Sequence, residues 1–284
     1  MSSETKAMRG VAPHKRIHTA AGVGTRHPNF KNHGGPVISA PRITTSFWGA
    51  GWSTPPNRAR ADRLNQFMRD FLASKYMNIL TQYGVGHGAF AGETSVAAVA
   101  AEISDKDIHT IIQKAIDDGT IMEPGPNDCL VIFLDDGIGV KDADTTMCEP
   151  TSDDAFGYHF FFKTSKGHDF FYAVIPSLND ACIHNTCPDP TQCSLQVGQT
   201  REQRQTQVTT HEVSEMLTDP KLTAWFDDDG GSENGDICNG EPGQITVGAN
   251  TWTVQKMYSK VDDVKTKGQT ICVVAPKKPL PAAH

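Results

Sequence analysis

The sequence predicts one mixed α/β domain, and three observations carry that expectation. Strand-type runs alternate with amphipathic helical stretches. CLVIFLDDG, at 129–137, is a short, continuously apolar run ending in turn residues, as a buried central strand would be. Residues 37–276 contain no internal repeat and no linker that would split them. With 284 residues, 38% of them hydrophobic, the chain is long enough to bury a sizeable core.

In chain order, PVISAPRITTSFWGAGW from Pro36 is rich in β-branched and aromatic residues and reads as a strand. A helix follows, because Leu64, Phe67, Met68, Phe71 and Leu72 recur at helical spacing and make one apolar stripe. YGVGHGAFAG lacks both the order of a dinucleotide loop and the Lys-Ser/Thr ending of a phosphate loop, so it reads as a turn into a strand. A second helix is expected over 104–118: Ser104 and Asp105 cap it, Ile108, Ile111, Ile112, Ala115 and Ile116 form its buried stripe, and Gly119 ends it. After the central strand, YHFFFK and DFFYAVIP flank the turn TSKGH and form a hairpin. A helix carrying His211 comes next, TWTVQKMYS is one more strand, and residues 277–284 form a flexible tail.

Residues 1–36 hold six Lys and Arg against the single acid Glu4, without apolar periodicity, and read as a disordered basic leader or pro-segment. A secretory signal needs an apolar run of about 7 to 15 residues, which this opening lacks. A net charge of -7 argues against nucleic acid or an anionic membrane surface as partner. Seven cysteines are an odd number, and three of them sit in CIHNTCPDPTQC, where a short disulfide is a better reading than zinc because the spacings are too wide. Cys129 lies inside an apolar run and reads as a buried free thiol. The cysteines point to an oxidising, extracellular setting.

The chemistry concentrates in VTTHEVSEMLTDP, residues 208–220. On a helix, Thr206, Thr209, Val213, Met216 and Leu217 cluster on one face, while His211 and Glu215 share the opposite one, roughly 40° apart and one turn along. Glu212 sits roughly 100° to the side of His211. Two ligands on one helical face beside a carboxylate that can accept a proton is the arrangement zinc hydrolysis requires. The usual second ligand of this pattern is His. A Glu there still binds zinc, but the extra anionic charge makes the metal a weaker acid. Asp219 lies about 12 Å along the axis from His211 at 1.5 Å per residue, so it is expected to bond backbone N–H groups after Pro220 rather than share an ion.

A third ligand must come from AWFDDDGGSENGDICNG, residues 224–240. Glu233 is the first choice and Asp236 the reserve, the latter also able to orient His211. The same acids could hold calcium, although the spacing is not that of an EF-hand loop. His159, in YHFFF, could face either the core or the site.

HEVSEMLTDPKLTAWFDDDGGSENGDICNG followed by TWTVQKMYS resembles a family of largely secreted bacterial proteins with a HExxExxTDP, AW[YF]D, GDxCN pattern. YGVGHGAFAG, ISDKDIHTIIQKAIDDGTI and GYH extend the resemblance over most of residues 37–273. More distantly the chain is similar to the plant EXORDIUM, or phosphate-induced, cell-wall proteins, which often lack a carboxylate at the position of Glu215. The resemblance implies a zincin-like fold, a mixed sheet over a helix that bears the metal ligands, and a metallopeptidase-like activity in a secreted protein. The combined expectation is a monomeric zinc endopeptidase that cleaves peptide or protein substrates, with zinc on His211, Glu215 and Glu233 and with Glu212 as general base. The competing expectation is a catalytically silent extracellular binding protein whose carboxylates hold a structural zinc or calcium ion.

Overall fold

The computed structural model describes residues 28–141, 147–148, 156–186, 193, 195, 198–229, 231–263 and 270–277. The chain opens with β1 (Phe30–Asn32), β2 (Arg42–Trp48), α1 (Pro55–Ala73), α2 (Met77–Thr81), β3 (Ala89–Val96), β4 (Glu102–Ile103) and α3 (Asp105–Asp117). The middle holds β5 (Asp128–Leu134), β6 (Gly139–Val140), β7 (Tyr158–Lys163), β8 (Asp169–Ile175), α4 (Asp180–Thr186) and α5 (Arg201–Thr218). The chain closes with β9 (Trp225–Asp227), β10 (Pro242–Val247), β11 (Asn250–Gln255), β12 (Met257–Tyr258), α6 (Lys260–Asp263) and β13 (Cys272–Val273).

The main sheet has five strands in the order β3-β2-β5-β8-β7. β2, β3, β5 and β8 run parallel, with α1 and α2 in the connection from β2 to β3 and α3 in that from β3 to β5, and β7 turns back antiparallel to β8 to form one edge. Both faces of β5 are covered. Cys129, Val131 and Phe133 join the core packed by α1 and α5, while Leu130, Ile132 and Leu134 join the core packed by the α3 residues Ile108, Ile112 and Ile116. A strand buried on both sides has no need to alternate, which is why CLVIFL is continuously apolar. This is a mixed α/β fold, as the sequence predicts.

Two helix starts follow the capping rules. Ser104 and Asp107 close a reciprocal capping box at α3, and Thr200 with Gln203 does the same at α5. Gly119, at φ +75°, follows the α3 C-terminus as a left-handed residue that glycine adopts without strain.

Two expectations are corrected. The sequence predicts a disordered leader to residue 36, but β1 pairs with β9 in the register Phe30 with Asp227, and Phe30 is buried against Tyr83, Trp225 and Tyr258. Burying that one aromatic ring fixes the segment, while residues 1–27 and 278–284 lie outside those described. Cys182 bonds Cys148, 34 residues away, and Cys238 bonds Cys272, while Cys193 is also disulfide-bonded and Cys187, the other cysteine of that loop, lies outside the described residues. Cys129 is a buried free thiol, as expected. TWTVQKMYS is two strands rather than one: β11 pairs with β10 in a hairpin and β12 with β13, so neither joins the main sheet.

Candidate metal centre

Helix α5 packs against β8, β7 and β11 and is buried on every side from Gln205 to Thr218. Two of its threonines are tied to β11. Thr206 donates to the Thr253 carbonyl (2.6 Å), and Thr210 accepts from the Gln255 N–H (2.9 Å), which fixes the helix against β11. The face bearing His211 and Glu215 turns towards β7 and the 233–238 segment. His211 Nε2 lies 3.2 Å from Glu215 Oε2.

That segment reaches the helix because Gly235 allows it. A Cβ there would lie 2.8 Å from Glu215 Oε1 and 3.0 Å from His211 Nδ1, closer than side chains approach. The Asp236 N–H then donates to Glu215 Oε1 (3.0 Å), and Asp236 Oδ1 stands 3.9 Å from His211 Nε2. The Glu233 N–H donates to Asp236 Oδ2 (3.2 Å). Cys238, bonded to Cys272, anchors the end of the segment.

His159 completes the cluster from the edge strand. Successive residues of a strand face opposite sides, so Tyr158 turns to α3 while His159 turns to α5. His159 Nε2 lies 3.4 Å from Glu233 Oε2 and 3.8 Å from Glu215 Oε2. Glu212 packs against Gly157, the residue before the same strand, where a Cβ would meet its Cγ and Oε1 at 3.1 Å. His159, His211, Glu212, Glu215 and Glu233 are all fully buried.

Asp219 is apart from this group. Its Oδ1 accepts from the Thr223 and Ala224 N–H groups (2.6 Å each) and caps the turn after α5, as its distance along the helix predicts. The acidic run is divided as well: Asp228 pairs with Asn29, Lys31 and His33 of the N-terminal strand region, and turns away from the centre. A calcium site built from that run is not what the described residues assemble.

The donor atoms fall into two trios, each drawn together within 4.8 Å: His159, Glu215 and Glu233, and His211, Glu215 and Asp236. The expected set of His211, Glu215 and Glu233 is not one of them. His211 and Glu233 stand on different sides of Glu215, which depends on the path of the 233–236 turn and cannot be read from sequence distance.

Burial and charge say what the cluster lacks. Burial alone would lower the His211 pKa, but Glu215, with Glu212 and Asp236 behind it, outweighs that and raises it from 6.5 to about 10. For His159 burial dominates and lowers the pKa. Among the described residues His211 Nε2 and Glu215 Oε2 have no hydrogen-bond partner, although each is fully buried. Buried carboxylates crowded on two imidazoles call for a cation. Donors bound to one zinc at about 2.0–2.2 Å lie roughly 3.3–3.6 Å apart in a tetrahedron, and the observed separations of 3.2, 3.4, 3.8 and 3.9 Å bracket that value. The residues fit a borderline metal such as zinc.

Gln255 holds the second nitrogen of His211. Its Oε1 accepts from the Gly240 N–H (3.2 Å), and its Nε2 lies 2.9 Å from the Gly235 carbonyl and 2.8 Å from His211 Nδ1. In that orientation the neutral ring carries its proton on Nε2, facing Glu215. A cation on Nε2 requires the proton on Nδ1, where the Gln255 amide, turned over, would accept it.

Compared with known proteins, the chain matches no family model, no curated protein and no solved structure. No helix among the described residues is long and apolar enough to cross a membrane. The disulfides Cys148–Cys182 and Cys238–Cys272 are consistent with an extracellular protein.

Proposed function

We propose that this chain is a secreted zinc-dependent metallopeptidase, related to the bacterial HExxE family and, distantly, to the plant EXORDIUM proteins that its motifs resemble. The observation that supports this most is the convergence on Glu215 Oε2 of imidazole nitrogens from two elements, His211 on α5 and His159 on β7, with Glu212 one residue from His211. His211, Glu215 and Asp236 would hold the ion. Bound there, zinc supplies a Lewis acid that polarises a carbonyl and acidifies water.

The rest belongs to the chain. Glu212 takes the proton of the attacking water at its carboxylate and returns it to the leaving amine. Its position against Gly157 puts it between the helix and the edge strand. Among the described residues β7 is paired on one side only, so its other edge can receive an extended peptide by strand addition, adjacent to His159. Asp236, the least enclosed donor, has 8% of its side chain exposed and marks the way in.

A second reading is favoured by the complete burial of Glu212 and of His211: a closed structural metal in a binding protein. Structural sites exclude water and catalytic ones keep an open position. A surface depression lined by Arg42, Glu93, Met122 and Asp128 touches none of the centre's residues and supports neither reading. Cleavage of a denatured protein substrate, measured beside zinc content, separates the two. For the peptidase, Glu212→Gln keeps its zinc and loses roughly 10²–10⁴-fold in rate. Tightly held zinc with no cleavage by the wild type would leave the structural reading.

A further inference from the structure

Two donor atoms on one ion at about 2.0–2.2 Å can be at most about 4.4 Å apart. Among the described residues no trio closes around both imidazoles. Each imidazole instead has its own carboxylate, His159 with Glu233 and His211 with Asp236, and Glu215 belongs to both trios. Glu215 is built for that shared place. Its Oε1 is taken by the Asp236 N–H, while its Oε2, fully buried and without a hydrogen-bond partner, faces His211 Nε2 at 3.2 Å and His159 Nε2 at 3.8 Å.

We infer that the centre takes two divalent cations, one on His159 and Glu233, the other on His211 and Asp236, with Glu215 as the bridging carboxylate. One imidazole and two carboxylates per ion form a mixed nitrogen and oxygen set, suited to zinc, manganese or iron(II) rather than to calcium. This rests on the metal-centre reading and deepens it. Two ions on a shared carboxylate can stabilise both the attacking and the leaving groups of a displacement.

The test is titration of the chelator-treated full chain with Mn(II), followed by stoichiometry and by electron paramagnetic resonance. The expected result is two equivalents, with the isolated six-line signal of the first ion collapsing into an exchange-coupled spectrum as the second binds. His159→Gln and His211→Gln should each keep one equivalent and show no coupling. One equivalent in the wild type, lost in either variant, would overturn the paired centre while leaving a single-ion site. Two equivalents with no coupling would overturn the bridge. No bound metal would overturn this inference and the proposed function together. The wild-type spectrum alone decides the matter if a variant fails to fold.

Discussion

Tyr158 and His159 are neighbours on β7, yet they enter opposite kinds of polar cluster. On the α3 side, the Asp105 carboxylate accepts from the Tyr158 hydroxyl (2.7 Å) and from the Tyr172 hydroxyl, and pairs with His109 Nε2 (3.1 Å). His109 stacks on Phe162 with ring centroids 4.6 Å apart. On the α5 side, His159 meets Glu215 and Glu233 at ion-pair rather than close hydrogen-bond distances, and Glu215 Oε2 has no hydrogen bond. Both clusters contain His, carboxylate and a nearby strand. The α3 cluster closes on itself and tethers a helix to the sheet, whereas the α5 cluster is left with charge to compensate. Satisfaction of the polar groups, more than residue type, separates a structural network from a binding site.

If that contrast is right, disrupting each side has a different readout. The largest effect is expected from His211→Gln, which removes an imidazole donor. Supporting partners of a metal ligand already contribute about 10–100-fold in affinity, so the ion held on His211 and Asp236 should weaken by more than about 100-fold in a zinc competition assay with a chromogenic chelator, while the one on His159 and Glu233 is kept. Gln255→Leu leaves His211 Nδ1 without its partner and should weaken zinc by about 10-fold with the fold intact. Unchanged affinity would mean that Gln255 only braces β11.

On the α3 side, Asp105→Asn should lower stability in urea by about 1–3 kcal/mol, as expected when a buried network loses its acceptor, and should leave the metal content unchanged. Metal loss in that variant would break the distinction between the two faces. The Asp105 pKa is also informative: burial would raise it, but the bonds from His109 and Tyr172 prevail and hold it below its ordinary 3.8. A depressed carboxylate stabilises the fold above its unfolded value and loses that contribution as pH falls through the folded one. The difference between wild type and Asp105→Asn should therefore be constant at neutral pH and shrink below pH 3.8.

His211 has the opposite sign. Its pKa is raised in the metal-free fold, so its contribution is complete below pH 6.5 and is lost as pH rises through about 10. The melting temperature of the metal-free protein should fall over that interval, and His211→Gln should flatten the decline.

How much of this was legible depended on periodicity. Helices α1 and α3, the buried strand β5 and the β7–β8 hairpin were readable because each repeats its pattern over six residues or more. β1 and β9 are three residues each, too short to carry a period, and β10 begins with Pro242-Gly243, which reads as a turn. In the centre, the His211 and Glu215 pair followed from helix geometry alone, and so did the separate role of Asp219. The division of Glu233 and Asp236 between two imidazoles did not, because it is set by how Gly235 lets one turn press on the helix. His159 was ambiguous for a related reason: alternation says that Tyr158 and His159 face opposite ways, but only the positions of α3 and α5 say which way each faces.

The central claim is that the carboxylate cluster on α5 is a metal centre organised by Glu215. Its most direct test is elemental mass spectrometry of the purified protein beside Glu215→Ala, prepared without chelator and checked for folding by circular dichroism. At least one equivalent of zinc or another divalent transition metal in the wild type, lost in the variant, is the predicted result. A folded wild type without metal, or a variant that keeps its full complement, would contradict the account.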